Sequence, residues 1–203
     1  MKVALIGATG KIGSAIRLEL LHRGHKITAL SRHIDAATLE DGIVARKADI
    51  MDVSAMAEAL TGHDAIVSAA MFTPGSSASL VEGLRRSGVR RVVIVGGAGS
   101  LDADGGKRIA DVIDVPDAWR PFIAEGIQLL ETLRQTGDLD WTFISPPAEI
   151  GPGERTSHYR TDDNHLVVTE DGTSRISYQD YAIAVVDALE NGTAIRNRFA
   201  VGY

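Results

Sequence analysis

Directly after the apolar run Val3-Ala4-Leu5-Ile6 the chain reads Gly7-Ala8-Thr9-Gly10-Lys11-Ile12-Gly13. Three glycines at this spacing, between a buried strand and a helix, make a turn that can hold a dinucleotide phosphate. Gly7 permits the tight turn, Gly10 lets the backbone approach a pyrophosphate, and Gly13 lets the helix pack close to the sheet. The free N–H groups at the helix start then face the anion. The spacing is G-x-x-G-x-x-G, one residue longer after the first glycine than the commoner pattern. Lys11 either adds positive charge near the pyrophosphate or points to solvent.

Other chemistry-bearing residues recur where apolar runs end. Ser31-Arg32 follows the second run, where an NAD site usually carries an acidic residue for the ribose 2′-hydroxyl. Arginine there suits a 2′-phosphate, so the reading is NADP(H) in preference to NAD(H). Asp35 is near enough in sequence to leave NAD(H) open. Asp49-Ile50 is placed to flank an adenine. Ser68-Ala69-Ala70 offers small residues beside a cofactor, or simply close strand–helix packing. Gly96-Gly97 begins another glycine-rich end, and Pro146-Pro147 gives a rigid turn that would rest against a nicotinamide. The polar stretch from Gly151 to His165 is long for a connection, and such loops often bind ligands. In it Tyr159 would stack on a flat ring, His158 would donate a proton, and Arg155 and Arg160 would meet acidic groups. Each also fits an ordinary surface loop. Trp119 reads as core or an oligomer contact, and Asp111, Asp114 and Asp117 as a solvated face.

The elements that must position these residues alternate. Strands are expected at Lys2–Ile6, Lys26–Ser31, Ile43–Lys47, Ala65–Ala69, Arg91–Val95, Trp141–Ser145 and Phe199–Val201. Helices are expected at Lys11–Arg23, Val53–Leu60, Ser79–Ser87, Ile123–Gln135 and Tyr181–Leu189, the last behind a capping box at Ser177-Tyr178-Gln179-Asp180. Strands joined by helix-length crossovers imply parallel pairing, and short continuous apolar strands imply a sheet covered on both faces. The fold class is therefore α/β, a doubly wound parallel sheet of the Rossmann type, with residues 1–203 as one domain and small substrate-side loops towards the C-terminus. Ligands on such sheets bind beyond the carboxyl ends of the strands.

Composition narrows the partners. The chain has 203 residues, 44 % of them hydrophobic, with a net charge of −6, so neither nucleic acid nor an anionic membrane is an expected partner. No apolar run approaches the ~20 residues of a membrane span. Without room for a secretory signal before the first strand, a cytoplasmic location is expected. Cysteine is absent, which removes thiolate catalysis, and the six histidines are scattered, so no metal site is expected. A monomer or homodimer acting on a small-molecule hydride acceptor fits this profile.

Taken together, the glycine loop, Thr28-Ala29-Leu30-Ser31-Arg32, Val95-Gly96-Gly97-Ala98-Gly99-Ser100 and Ser145-Pro146-Pro147 resemble the atypical short-chain dehydrogenase/reductase group. Within it the chain is most similar to small NADH-flavin reductases, related to biliverdin reductase B and to NmrA-like proteins, along nearly its whole length. The resemblance implies a nicotinamide cofactor, FMN or FAD as a possible substrate, and a role for Ser100 near the reacting rings. Ser100 equally suits closure of the glycine turn. One family feature is missing: the wider superfamily uses Tyr-x-x-x-Lys to pass a proton to a carbonyl. Here the last lysine is Lys107 and all four tyrosines follow it, at 159, 178, 181 and 203. Flavin reduction survives that loss, because the main task is to hold two rings face to face. Quinones and linear tetrapyrroles are comparable acceptors. The alternatives are a non-catalytic NADP(H) sensor of the NmrA type and an epimerase or dehydratase, which would need the missing pair.

Overall fold

Apolar runs that alternate with amphipathic ones build a sheet with helices on both faces, and the structure, a computed structural model, describes residues 1–203. In chain order the first half comprises β1 (Lys2–Ile6), α1 (Lys11–His22), β2 (Lys26–Ser31), β3 (Val44–Lys47), α2 (Val53–Leu60), β4 (Ala65–Ser68), α3 (Ser76–Ser87) and β5 (Arg91–Val95). A small irregular excursion follows, with β6 (Asp102–Ala103), β7 (Lys107–Arg108) and α4 (Ile109–Val112). The chain then forms α5 (Arg120–Arg134), β8 (Asp140–Ser145), β9 (Glu149–Gly151), β10 (Arg160–Asp162), β11 (Arg175–Ser177), α6 (Tyr178–Asn191) and β12 (Asn197–Gly202).

Eight strands form the main sheet in the order β10-β12-β8-β5-β4-β1-β2-β3, all parallel except β10, which runs antiparallel to β12. The order reverses between β1 and β4, the switch point where a doubly wound sheet opens a crevice. The fold is a single Rossmann-type α/β domain. No helix is long and apolar enough to cross a membrane.

The period-two alternation of strand side chains decides which helix covers which face. Val3 and Leu5 join Ile16 and Leu20 of α1 and Tyr181 and Val185 of α6 on one side. Ala4 and Ile6 join Met56, Leu84, Leu130, Trp141 and Phe143 under α2, α3 and α5 on the other. Each fully buried large apolar side chain contributes about 1.5–3 kcal/mol. The two cores therefore outweigh any single polar contact at the rim, and the strand ends stand on a rigid platform.

Several boundaries differ from the expectations for physical reasons. Helix α3 starts at Ser76, not Ser79, because Glu125 of α5 caps it, accepting from the N–H groups of Gly75 at 2.9 Å and Ser77 at 2.7 Å. Helix α5 begins at Arg120, with Pro121 in its first turn, where a missing N–H costs nothing. Helix α6 begins at Tyr178, since Ser177 Oγ accepts the Asp180 N–H at 3.0 Å. The expected capping box is only half made. Instead of returning to Ser177, the buried Asp180 carboxylate accepts from Thr156 N–H (3.1 Å), Thr156 Oγ1 (2.7 Å), Ser157 N–H (2.8 Å) and Tyr203 Oη (2.7 Å).

Asp180 thus ties the 152–158 loop and the last residue to the start of α6, and it holds Ser157 at φ 62°, a left-handed conformation a non-glycine residue adopts only under constraint. Burial pushes the Asp180 carboxyl up, but the bonds from Tyr203, Thr156 and Ser157 prevail and hold it below the usual carboxylate range. A depressed carboxyl stabilises the fold above its unfolded pKa and loses that contribution as pH falls through the folded value. Asp180→Asn should lower unfolding free energy by about 2–4 kcal/mol and flatten the acid limb of stability against pH, as read by denaturant melts at several pH values. An unchanged melt at neutral pH would remove Asp180 from this role.

Candidate active site

At the carboxyl ends of the strands lies a crevice of about 820 Å³. Its centre is the turn from β1 into α1. Gly7 has φ 77°, and a Cβ there would sit 2.5 Å from the Ala69 carbonyl oxygen. A Cβ on Gly13 would sit 2.1 Å from the Gly7 carbonyl oxygen. Only glycine allows α1 to start this close to β1 and β4. Gly10 is the N-cap and has no capping side chain. Within the chain, Gly10 N–H bonds to Gly7 O and Ser14 N–H to Gly10 O, while the N–H groups of Thr9, Lys11, Ile12 and Gly13 have no acceptor. These free donors at the positive end of α1 make a cradle for an anion. The donor set fits a dinucleotide pyrophosphate.

Thr9 Oγ1 and Ser31 Oγ, 2.9 Å apart, fasten this loop to the end of β2. The exposed Arg32 follows on the crevice wall. Asp49 and Ile50 also line it, Asp49 accepting the Met51 N–H at 3.0 Å. Ala69 and Ala70 line it too, with their backbone lying directly against Gly7.

Beyond β5 the walls become apolar. A Cβ on Gly96 would lie 2.3 Å from the Phe143 ring, and one on Gly126 would lie 2.7 Å from Phe72. These glycines admit the rings of Phe72 and Phe143, stacked with centroids 6.5 Å apart. Phe122, Ile123 and Ile127 of α5 complete the wall, and Trp119 lies 5.8 Å from Phe122. Trp119 is 55 % exposed at the crevice rim, not in the core as one expectation had it. The Gly96–Ser100 turn is held from behind. Gly96 N–H donates to Ile144 O at 2.8 Å, and Ser145 Oγ donates to Gly97 O at 3.0 Å. Ser100 lines the crevice and is mostly buried, with its Oγ 3.5 Å from Gly97 O.

Thus Gly7, Thr9, Gly10, Lys11, Ile12, Gly13, Ser31, Arg32, Asp49, Ile50, Ala69, Ala70, Gly96, Gly97 and Ser100 share one crevice. The other anticipated residues stand outside its lining. Ala8 is fully buried and gives its N–H to Leu30 O. Ser68 is buried in the sheet beside Ile94. At Pro146-Pro147 the chain leaves β8, already fastened through Ser145, and runs on to β9.

Tyr159 is a correction. Its hydroxyl donates to Asp187 Oδ2 at 2.7 Å, on the α6 side, in a separate hollow with Phe199. Burial and the Asp187 carboxylate push its phenol well up, which disfavours ionisation. The rest of its loop is also engaged elsewhere. Arg155 pairs with Glu19 of α1 at 3.1 Å, His158 Nδ1 meets Thr156 O, and Arg160 donates to the carbonyls of Val168 and Tyr203. The sequence reading missed Phe72, Ile127, Ile150 and Tyr178, all on the lining. Phe72 was within reach, since it lies just past the end of β4. Tyr178 was not, because the pairing of β11 with β9 that brings it in has no sequence signature.

Known proteins share this fold. Among solved structures the chain is similar to one from Burkholderia pseudomallei with the working name of exported protein (43 % identity, all of both chains, TM-score 0.89). It is also similar to one from Bacteroides thetaiotaomicron with the working name of epimerase (36 %, all of this chain and 96 % of that one, TM-score 0.93). A third, from Streptococcus pneumoniae, has the working name of NADH-flavin reductase (34 %, all of this chain and 99 % of that one, TM-score 0.83). The NAD(P)H-binding family model matches residues 7–192, from the first glycine of the loop to the glycine that ends α6. The chain belongs to the NAD(P)H-binding family.

Proposed function

We propose that the protein is an NADPH-dependent reductase of a flavin or a similar flat, conjugated acceptor such as a quinone or a tetrapyrrole. The observation that carries this reading is one crevice whose two halves differ in chemistry. Free N–H donors and Arg32 occupy one half, and Phe72, Phe122 and Ile127 wall the other. When bound, the nicotinamide cofactor supplies a hydride equivalent. The residues then have three tasks. The N–H groups of Thr9, Lys11, Ile12 and Gly13 hold the pyrophosphate, Arg32 takes the 2′-phosphate, and the apolar wall excludes water while keeping an aromatic acceptor flat. The absence of Tyr-x-x-x-Lys suits an acceptor that needs little proton help. The similarity to the Streptococcus pneumoniae protein points the same way. An epimerase role, as in the working name of the Bacteroides thetaiotaomicron relative, would need a proton-transfer pair this sequence does not supply.

The same missing pair favours the second reading, an NADP(H) sensor without turnover. The two are separated by following NADPH absorbance with and without FMN or a quinone. Acceptor-dependent oxidation is expected, and saturable NADPH binding with no oxidation would give the sensor instead. Arg32→Ala should weaken NADPH binding about tenfold, the loss of one charge-assisted contact at an exposed site, and leave NADH binding unchanged. Equal effects on both cofactors, measured by fluorescence titration, would contradict the 2′-phosphate role.

A further inference from the structure

Three of the four tyrosines spend their hydroxyls within the chain. Tyr159 donates to Asp187, Tyr181 to the Ile144 carbonyl at 2.6 Å, and Tyr203 to Asp180. Tyr178 is the exception. It is half-buried on the crevice lining, and its hydroxyl meets no partner in the protein.

Its position is set from several sides. Tyr178 is the first residue of α6, directly behind the capping Ser177. Strand β11 lies parallel to β9, with Ile176 beside Ile150 and Ser177 beside Gly151. Ile150 lines the same crevice. Asp180, in the first turn of the helix, anchors that end to the 152–158 loop. Tyr178 therefore stands on the side reached from β8 and β9. Arg32 and Asp49 stand on the opposite side, beyond β2 and β3. The acceptor half is otherwise walled by Phe72, Phe122, Ile123 and Ile127, with Thr73 following Phe72 on the lining, and Ser100 is mostly buried beside Gly97 O.

We propose that Tyr178 recognises the acceptor, its hydroxyl donating a hydrogen bond to a ring carbonyl oxygen, so that the site selects flat conjugated rings bearing such an oxygen over those without one. This rests on the reductase reading above. An acceptor with no oxygen at that point would leave the hydroxyl desolvated and unpaired, which a largely apolar slot penalises. A carbonyl conjugated to the reduced ring gains negative charge as hydride arrives, so the same bond strengthens along the reaction.

The test compares wild type with Tyr178→Phe on three acceptors: menadione and FMN, which carry ring carbonyls, and methylene blue, which has none. The expected result is a loss of about tenfold in kcat/KM for menadione and FMN, with the KM for NADPH unchanged and the rate with methylene blue equal to or above that of wild type, since the variant has no hydroxyl to leave unpaired. Equal losses on all three acceptors would mark a merely structural residue and overturn the proposal, as would no loss on any. A calorimetric titration of FMN into the NADP⁺-saturated protein reads the contact without turnover, and Tyr178→Phe should raise Kd by about fivefold to tenfold. Unchanged affinity, or no FMN binding by wild type, would overturn the proposal. A wild type that binds FMN yet never oxidises NADPH would defeat the reductase reading alone, and the Kd comparison would still decide on Tyr178.

Discussion

The start of α1 approaches the sheet only because Gly7 and Gly13 have no side chains, and the geometry of the crevice follows from that approach. Built Cβ atoms would fall 2.5 Å and 2.1 Å from backbone carbonyl oxygens, too close for any small adjustment. With the helix seated there, four N–H groups in and beside its first turn lie where the strand order reverses, without acceptors of their own. A helix end in that condition needs a partner, and an anion satisfies both the donors and the macrodipole. The Thr9–Ser31 contact then sets the end of β2, and with it Arg32, at a fixed offset from the cradle.

Similar close approaches build the other half. Gly96 makes room for Phe143, and Gly126 makes room for Phe72. The Gly96–Ser100 turn is fastened by Ser145 and by the buried Arg198, whose guanidinium donates to the Ser100 carbonyl and to Asn164 Oδ1. On the outer side of α1 and α6, Arg23 joins Glu19, Asp187 and Glu190. Arg155 meets the same Glu19, and Tyr159 meets the same Asp187. That network occupies the polar 151–165 loop, which leaves the apolar half of the crevice bounded mainly by rings and aliphatic side chains.

The features legible in the sequence are those set by local geometry. Apolar runs of four to six residues ending at small residues gave away the central strands, and β2 matches its expected bounds, Lys26–Ser31. The glycine loop was legible because its spacing encodes backbone approach. The short strands β9, β10 and β11 were not, since three-residue strands have no period and are set by long-range pairing, β9 with β11 and β10 with β12. Tyr159 was misread for the same reason: its partner is 28 residues away on a helix, and a polar loop does not reveal which way it folds. Tyr178 was hidden inside a helix start, where residue type alone suggests an amphipathic turn.

Anion binding at the crevice depends on the unpaired N–H groups of the glycine loop, and amide proton shifts during a titration with NADP⁺ test them most directly. The amides of Thr9, Lys11, Ile12 and Gly13 are expected to move downfield and saturate together, while those of Gly24, just past the C-cap of α1, and Gly88, the C-cap of α3, stay in place. Saturable binding that leaves the loop amides unmoved would contradict that dependence.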